Sequence, residues 1–313
     1  PEGARKFMQQ FYVNYGHNSI ADCGNFVLFF EGVPMHVAKQ LQRDPRYNGQ
    51  EASTRYMDLS NAVAINSHNL EAGARIQERW LNFYRKNIRK QMVYISTQFP
   101  IQPGENFDTY AAAVEKRAFD VLRAFLPIGT PTNVSWNVNL RLAKDHLLML
   151  TQHPDLDTRL VAEAAVKGLC ELFPGTFMIP SADATDEKER RAYQRHLADL
   201  DWQRRALLLD TKLFDELRRE LVTVNDPLYF RARGLENIRI PADYLELLQS
   251  RPLFTELTLS TNRFGRAVYE FAIDYGSFRD LQRHRAADID VPYADVDLGF
   301  HPWYLGQLPP KMR

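Results

Sequence analysis

The sequence predicts an α+β fold in two lobes, and three features of the chain carry that expectation. First, the run Asn25 to Glu31 is dense in β-formers, while long stretches after it repeat apolar residues at helical spacing. Second, 313 residues are enough for two domains of ordinary size. Third, one local context occurs twice. Phe30-Glu31-Gly32 leads through a helical stretch to Leu41-Gln42-Arg43, and Phe271-Ala272-Ile273 leads to Leu281-Gln282-Arg283. A strand-like run, a turn, a short helix and Leu-Gln-Arg recurring in that order point to a diverged internal duplication. Residues 1–180 are then the first lobe, 181–250 a helical connector with the start of the second, and 251–313 a partial second lobe.

Residues 2–14 read as a short helix that stops at Tyr15-Gly16, with Gly16 in the C-terminal cap. Asn25 to Glu31 reads as a buried strand. Gly32 and Pro34 turn the chain into a helix, where a first-turn proline is tolerated. Arg43 to Arg55 carries Pro, Asn and Gly and reads as a loop. Helices are expected from about His68 to Gln98 and from Asp108 to Phe125. After a break at Pro127 to Pro131, helical periodicity returns over 138–151 and 157–173. The charged, Leu- and Arg-rich segment 186–222 reads as a solvated helix pair linking the lobes.

Lys plus Arg and Asp plus Glu number 39 each, so no overall field draws the chain to nucleic acid or to an anionic membrane. Any phosphate site must come from local clustering of Arg. Cys23 and Cys170 are too few for a disulfide framework or a Cys-rich zinc site, which fits a reducing, cytoplasmic setting. The apolar run Phe26 to Phe30 is far short of a membrane span. The chain begins on Pro1-Glu2-Gly3 without an initiator Met and ends at Arg313, as a piece of a longer protein would.

Three polar clusters carry chemistry. Tyr15-Gly16-His17-Asn18-Ser19-Ile20-Ala21-Asp22 stands between a capped helix and a strand, where side chains face a cleft or simply cap a helix. Gln40 and Arg43 share a helix face by spacing. Glu51, Ser53 and Arg55 alternate, so an extended segment projects them to one side. That set offers a carboxylate, a hydroxyl and a guanidinium fork, which suits a nucleotide. A loop pinned by a Glu51–Arg55 ion pair satisfies the same spacing. Arg283-His284-Arg285 is a compact cationic group suited to a diphosphate or a flavin carbonyl, or a solvated basic turn. No glycine-rich phosphate fingerprint occurs, so a flavin site has to use side chains.

Taken together, these clusters resemble the flavin-dependent thymidylate synthases. Tyr15-Gly16-His17 is similar to the family's Gly-His element, with His17, Ser19 and Asp22 where the family contacts flavin. Gln40 and Arg43 match the helix Gln and the first signature Arg. Glu51, Ser53, Arg55 and Tyr56 match the later Glu-x-Ser-x-Arg-Tyr. Arg123 to Pro127 and Trp136-Asn137-Val138-Asn139 resemble a further segment, in which the Arg contacts nucleotide and the Asn contacts flavin. The match covers about residues 12–178. It departs at Asp44 and Pro45, which replace the signature His and second Arg, at Asn48, near the spaced Ser, and at Leu150, where an Arg is usual. The second lobe reverses the pattern: Arg283-His284-Arg285 is intact, but no Glu-x-Ser-x-Arg-Tyr follows.

The resemblance implies a curved antiparallel sheet flanked by long helices in each lobe. It also implies C5 methylation of dUMP to dTMP, with FAD for redox chemistry, methylenetetrahydrofolate for the carbon and NADPH for the electrons. The substrate residues would be Gln40, Arg43, Glu51, Ser53, Arg55 and Arg123. The flavin residues would be His17, Ser19, Asp22, Asn139, Arg283, His284 and Arg285. No residue is assigned as nucleophile and none as a metal ligand. Complementary loss in the two lobes implies that the first supplies the nucleotide half and the second the flavin half, in a dimer of two-lobed chains. C5 methylation of UMP and non-catalytic binding of flavin or nucleotide fit the same residues. An RNA-binding role for 186–222 is disfavoured by neutral net charge and by the lack of interleaved aromatics.

Overall fold

The computed structural model describes residues 2–8, 10, 11, 17–174, 176, 177, 188, 189, 191–196, 230–253, 255, 259–271, 273–285, 287, 289 and 300–313. Strands and helices are mixed, as an α+β fold requires. Strand β1 (Asn25–Pro34) pairs antiparallel with β2 (Pro131–Asn139), which pairs antiparallel with the short β3 (Gly49–Glu51) on its other side. β2 is therefore the central strand. A separate two-stranded antiparallel sheet joins β4 (Phe230–Arg233) to β5 (Val268–Phe271).

The central strand was not expected from periodicity, although its alternation is regular. Thr132, Val134, Trp136 and Val138 point into the core, and their neighbours do not. Residues 138 and 139, expected as helix, therefore finish this strand. Asn139 then caps the helix Leu140–Leu150 by accepting from Leu142 N–H at 2.8 Å. β1 is longer and less buried than expected. Phe30 is buried, but Val27 and Phe29 are 55% and 68% exposed, because helices cover only one face of this sheet. Gly32 does not turn the chain into a helix. It sits at φ +65° in an irregularity between Phe30 and Val33, and its N–H donates to Asn133 Oδ1 at 2.8 Å. Pro34 ends the strand and precedes the helix Met35–Leu41. The expected loop 43–55 likewise contains β3, since Gly49 to Glu51 adds to the central strand.

The helices are α1 (Glu2–Phe7), α2 (Met35–Leu41), α3 (Glu71–Gln98), α4 (Phe107–Leu122), α5 (Leu140–Leu150), α6 (Leu156–Leu172), α7 (Ala242–Gln249), α8 (Tyr275–Leu281) and α9 (Pro302–Gly306). One core packs the sheet against α2, α5 and α6 around Trp136, whose Nε1–H donates to the Leu41 carbonyl at 3.1 Å. A second core joins α3, α4 and the C-terminal segment through Tyr84, Phe125, Tyr304 and Leu308. Gln91 Nε2 donates to the Gln307 carbonyl at 2.8 Å, and Tyr304 Oη donates to Asp274 Oδ1 at 2.8 Å. Asp274 caps α8, accepting from Ser277 N–H. The C-terminal segment thereby fixes α8 against the first half of the chain. Among the described residues, no helix is long and apolar enough to cross a membrane. Tyr15 and Gly16, and most of 186–222, lie outside the described residues.

Candidate active site

The site begins with two short helices that end in the same tripeptide. Leu41-Gln42-Arg43 closes α2 and Leu281-Gln282-Arg283 closes α8. Two positions before each Leu stands a buried cation, Lys39 in α2 and Arg279 in α8, and both converge on Glu51 at the end of β3. Glu51 Oε2 accepts from Lys39 Nζ and, at 3.0 Å, from Gln42 Nε2. Glu51 Oε1 accepts from Arg279 Nη2 at 2.5 Å. Gln282 Nε2 donates to the Lys39 carbonyl at 3.1 Å, so the helices are also stitched directly. Glu51 was expected to face a nucleotide. Its carboxylate is instead occupied by protein partners and is 8% exposed.

Two cations around one carboxylate leave the cluster one positive charge in excess. Burial alone would push the Glu51 carboxyl up, but Lys39 and Arg279 together hold it below the usual range. Arg does not deprotonate, so the excess falls on Lys39, which burial pushes down to about 8 against the pull of Glu51. The folded value lies below the unfolded value of about 10.4, so between the two the unfolded chain binds more protons. The Lys39 contribution to stability therefore rises with pH from about 8 to about 10. Urea midpoints at pH 7.5 and 9.5 are expected to show this rise relative to Lys39→Met, in which it should be absent.

Above Glu51 lies a cleft of about 740 Å³, within the usual range for small-molecule sites. It is lined by Gly49 to Ser53, by Asn133 to Ser135 of β2, and by Gln282, Arg283 and Arg285 from the end of α8. Exposed Phe29 and Tyr56 add aromatic surface. A Cβ on Gly49 would lie 1.8 Å from the Ser135 carbonyl oxygen, so β3 closes on β2 only with glycine there. Arg285 lies 4.8 Å from the Tyr47 ring and donates to Asn48 Oδ1 at 3.1 Å and to the Gly49 carbonyl at 3.0 Å. These acceptors are neutral, so the charge is available to an anion. Asp44, which replaces the signature His, is clamped by Arg46 at 2.6 Å, which holds its carboxyl below the usual range.

Of the expected site residues, Ser53, Glu51, Arg283 and Arg285 meet at this cleft. Arg55 and Arg123 do not line it. Arg55 Nε donates to Asp120 at 2.6 Å, and Arg123 Nη2 lies 3.2 Å from Asp120 and 3.0 Å from Asp280. Carboxylates thus neutralise both guanidiniums, and the alternative Glu51–Arg55 pair does not form. Gln40 and Arg43 are also off the lining. The Gln40 carbonyl accepts from His146 Nε2 at 3.0 Å. Asp22 and Asn139 line a second, polar cleft of about 560 Å³, where Asp22 pairs with Arg141 at 2.9 Å. Asn48 lines that cleft and accepts from Arg285, which lines the first, so the two clefts share a wall. His17, Ser19 and His284 are exposed and line neither. Lys39, Arg279 and Tyr47 were missed. Extending the Leu-Gln-Arg echo two residues back would have found both buried cations.

A family model described as thymidylate synthase complementing protein matches residues 2–175, more than half of the chain. A UPF0159 protein of Chlamydia muridarum is 22% identical over 95% of this chain and 62% of its own length. A UPF0159 protein of Chlamydia pneumoniae is 22% identical over 90% and 59%. One of Thermoplasma acidophilum is 25% identical over 96% and 70%. The chain thus spans about three fifths of the length of its chlamydial relatives. The solved structure of the UMP/dUMP methylase PolB from Streptomyces cacaoi, bound with 5-Br dUMP, is 14% identical with a TM-score of 0.38, over 57% of this chain and 79% of that one. By the extent and position of the family match, the chain belongs to the thymidylate synthase complementing protein family.

Proposed function

We propose that the chain binds dUMP in the cleft between Ser53 and Arg285 and serves its C5 methylation to dTMP. The observation that carries this reading is the cleft itself, whose lining joins Gly49 to Ser53, in the family-matched half, to Arg283 and Arg285 from the other half. Ser53 and Ser135 offer hydroxyls, Arg283 and Arg285 offer charge to a phosphate or diphosphate, and Phe29 and Tyr56 offer faces for a planar ring. The chemistry of this donor set fits a flavin dinucleotide as well as a mononucleotide. When bound, FAD would supply redox chemistry, methylenetetrahydrofolate the carbon and NADPH the electrons. In this reading Arg283 and Arg285 hold flavin, Asp22 and Asn139 in the adjoining cleft extend that site, and Ser53 positions the nucleotide. Glu51 acts by fixing β3, α2 and α8 around them.

Neither cysteine belongs to the cleft lining. Cys23 is exposed, and Cys170 Sγ donates to the Phe177 carbonyl at 2.9 Å, its thiol pushed up by burial. That placement supports chemistry in which no enzyme thiolate adds to the pyrimidine ring. The matching ends of α2 and α8 support residues 1–180 and 251–313 as diverged copies joined by 181–250. On that reading, two chains pairing would bring four such copies together. Incubating the purified chain with dUMP, FAD, NADPH and methylenetetrahydrofolate tests the proposal. Formation of dTMP is the expected result, with UMP as the parallel substrate.

A further inference from the structure

We propose that His36, Asp155 and Asp157 form a binding site for a divalent first-row transition ion of the zinc type, joining the start of α2 to the start of α6. One ligand atom from each lies within 4.8 Å of the others. His36 Nε2 is 3.3 Å from Asp155 Oδ2 and 3.4 Å from Asp157 Oδ2. Ligands 2.0–2.2 Å from a tetrahedral zinc stand roughly 3.3–3.5 Å apart, so both separations match edges of such a tetrahedron. The other ring nitrogen, Nδ1, lies 3.3 Å from the Ile128 carbonyl. Donation there selects the tautomer whose Nε2 lone pair faces the two carboxylates, the arrangement common to metal-binding histidines.

Three electron-rich atoms converging in this way need a positive charge between them, either a metal ion or a proton on Nε2. Asp157 favours the metal. It is 9% exposed, and its Oδ1 has no hydrogen-bond partner. An imidazolium meeting only Oδ2 leaves that buried oxygen unsatisfied, whereas a metal can take both oxygens of a carboxylate. Asp155 is oriented in advance, its Oδ2 accepting from Thr158 N–H at 2.8 Å and Thr158 Oγ1 at 2.7 Å. The positive end of α6 opposes a cation, but the two carboxylates placed there outweigh it. An imidazole with two carboxylates suits zinc better than magnesium, which prefers oxygen and water. None of the three residues lines the nucleotide cleft, so the site stands or falls independently of the proposed reaction.

The test is titration of the full chain with Zn²⁺ against a chromophoric chelator, alongside thermal melts with and without the ion. One Zn²⁺ per chain is expected, with a rise in Tm on saturation and no competition from excess Mg²⁺. Asp157→Asn and His36→Gln should each weaken binding by at least about 100-fold and abolish the rise in Tm. Asp155→Asn, which keeps a good helix cap, provides the same test should either variant fail to fold. Absence of zinc binding by the wild-type chain overturns the proposal. Equal affinity in a folded variant does so too, and leaves His36 as an imidazolium between two carboxylates.

Discussion

Glu51→Ala is expected to destabilise the fold by about 3–5 kcal/mol, the usual cost of removing one partner from a buried ionic cluster. The change leaves Lys39 and Arg279, both about 4% exposed as side chains, without their shared counter-charge. At this chain length, that corresponds to a fall in Tm on the order of 5–8 °C. Combining it with Lys39→Met should recover part of the loss, because one of the orphaned charges is then gone. Differential scanning calorimetry of the four proteins in this cycle measures both quantities. A loss below about 1 kcal/mol for Glu51→Ala would mean that water or rearranged partners serve the two cations. Glu51 would then no longer be the joint between α2, β3 and α8.

The second large effect is expected at the arginines that line the cleft. Arg283→Ala combined with Arg285→Ala removes two guanidiniums that are exposed at the cleft mouth. Charge-assisted hydrogen bonds to an anion contribute about 1.5–3 kcal/mol each, so the pair should weaken flavin binding by about 10²-fold or more. The fold should tolerate the change. Arg285 bonds the neutral Asn48 and Gly49, and Arg283 stands 3.5 Å from Asp280 at the surface. Loss of bound flavin absorbance with an unchanged Tm is the expected outcome. Retention of flavin by the double variant would assign the arginines to an ordinary basic turn and move the cofactor elsewhere.

Much of the scaffold was legible because helices announce themselves over many turns. The periodicity of 68–98 and 108–125 placed α3 and α4 within a few residues. β2 was harder, since its inward positions mix Thr132 with Val134, Trp136 and Val138, and its polar neighbours resemble a loop. β3 was harder still. Three residues carry no period of their own, and only pairing with Trp136, Ser135 and Val134 makes Gly49 to Glu51 a strand. The motif positions were legible, but their partners were not. Local spacing offered Glu51–Arg55 as a pair, whereas the fold brings Arg279 from more than two hundred residues away to Glu51 and Asp120 to Arg55. Long-range ion pairs of this kind depend on how helices pack, which a linear spacing does not encode. The repeated Leu-Gln-Arg was the most informative short signal, because its two copies end the helices that build the cleft.

Release of tritium from dUMP labelled at C5 tests the central claim most directly, because methylation at that carbon must displace its hydrogen. With the full chain, FAD, NADPH and methylenetetrahydrofolate, release is expected to follow dTMP formation and to fall sharply in the Arg283→Ala, Arg285→Ala double variant. Tight binding of dUMP with no tritium release under any of these conditions would contradict the claim and leave the cleft as a nucleotide-binding site without chemistry.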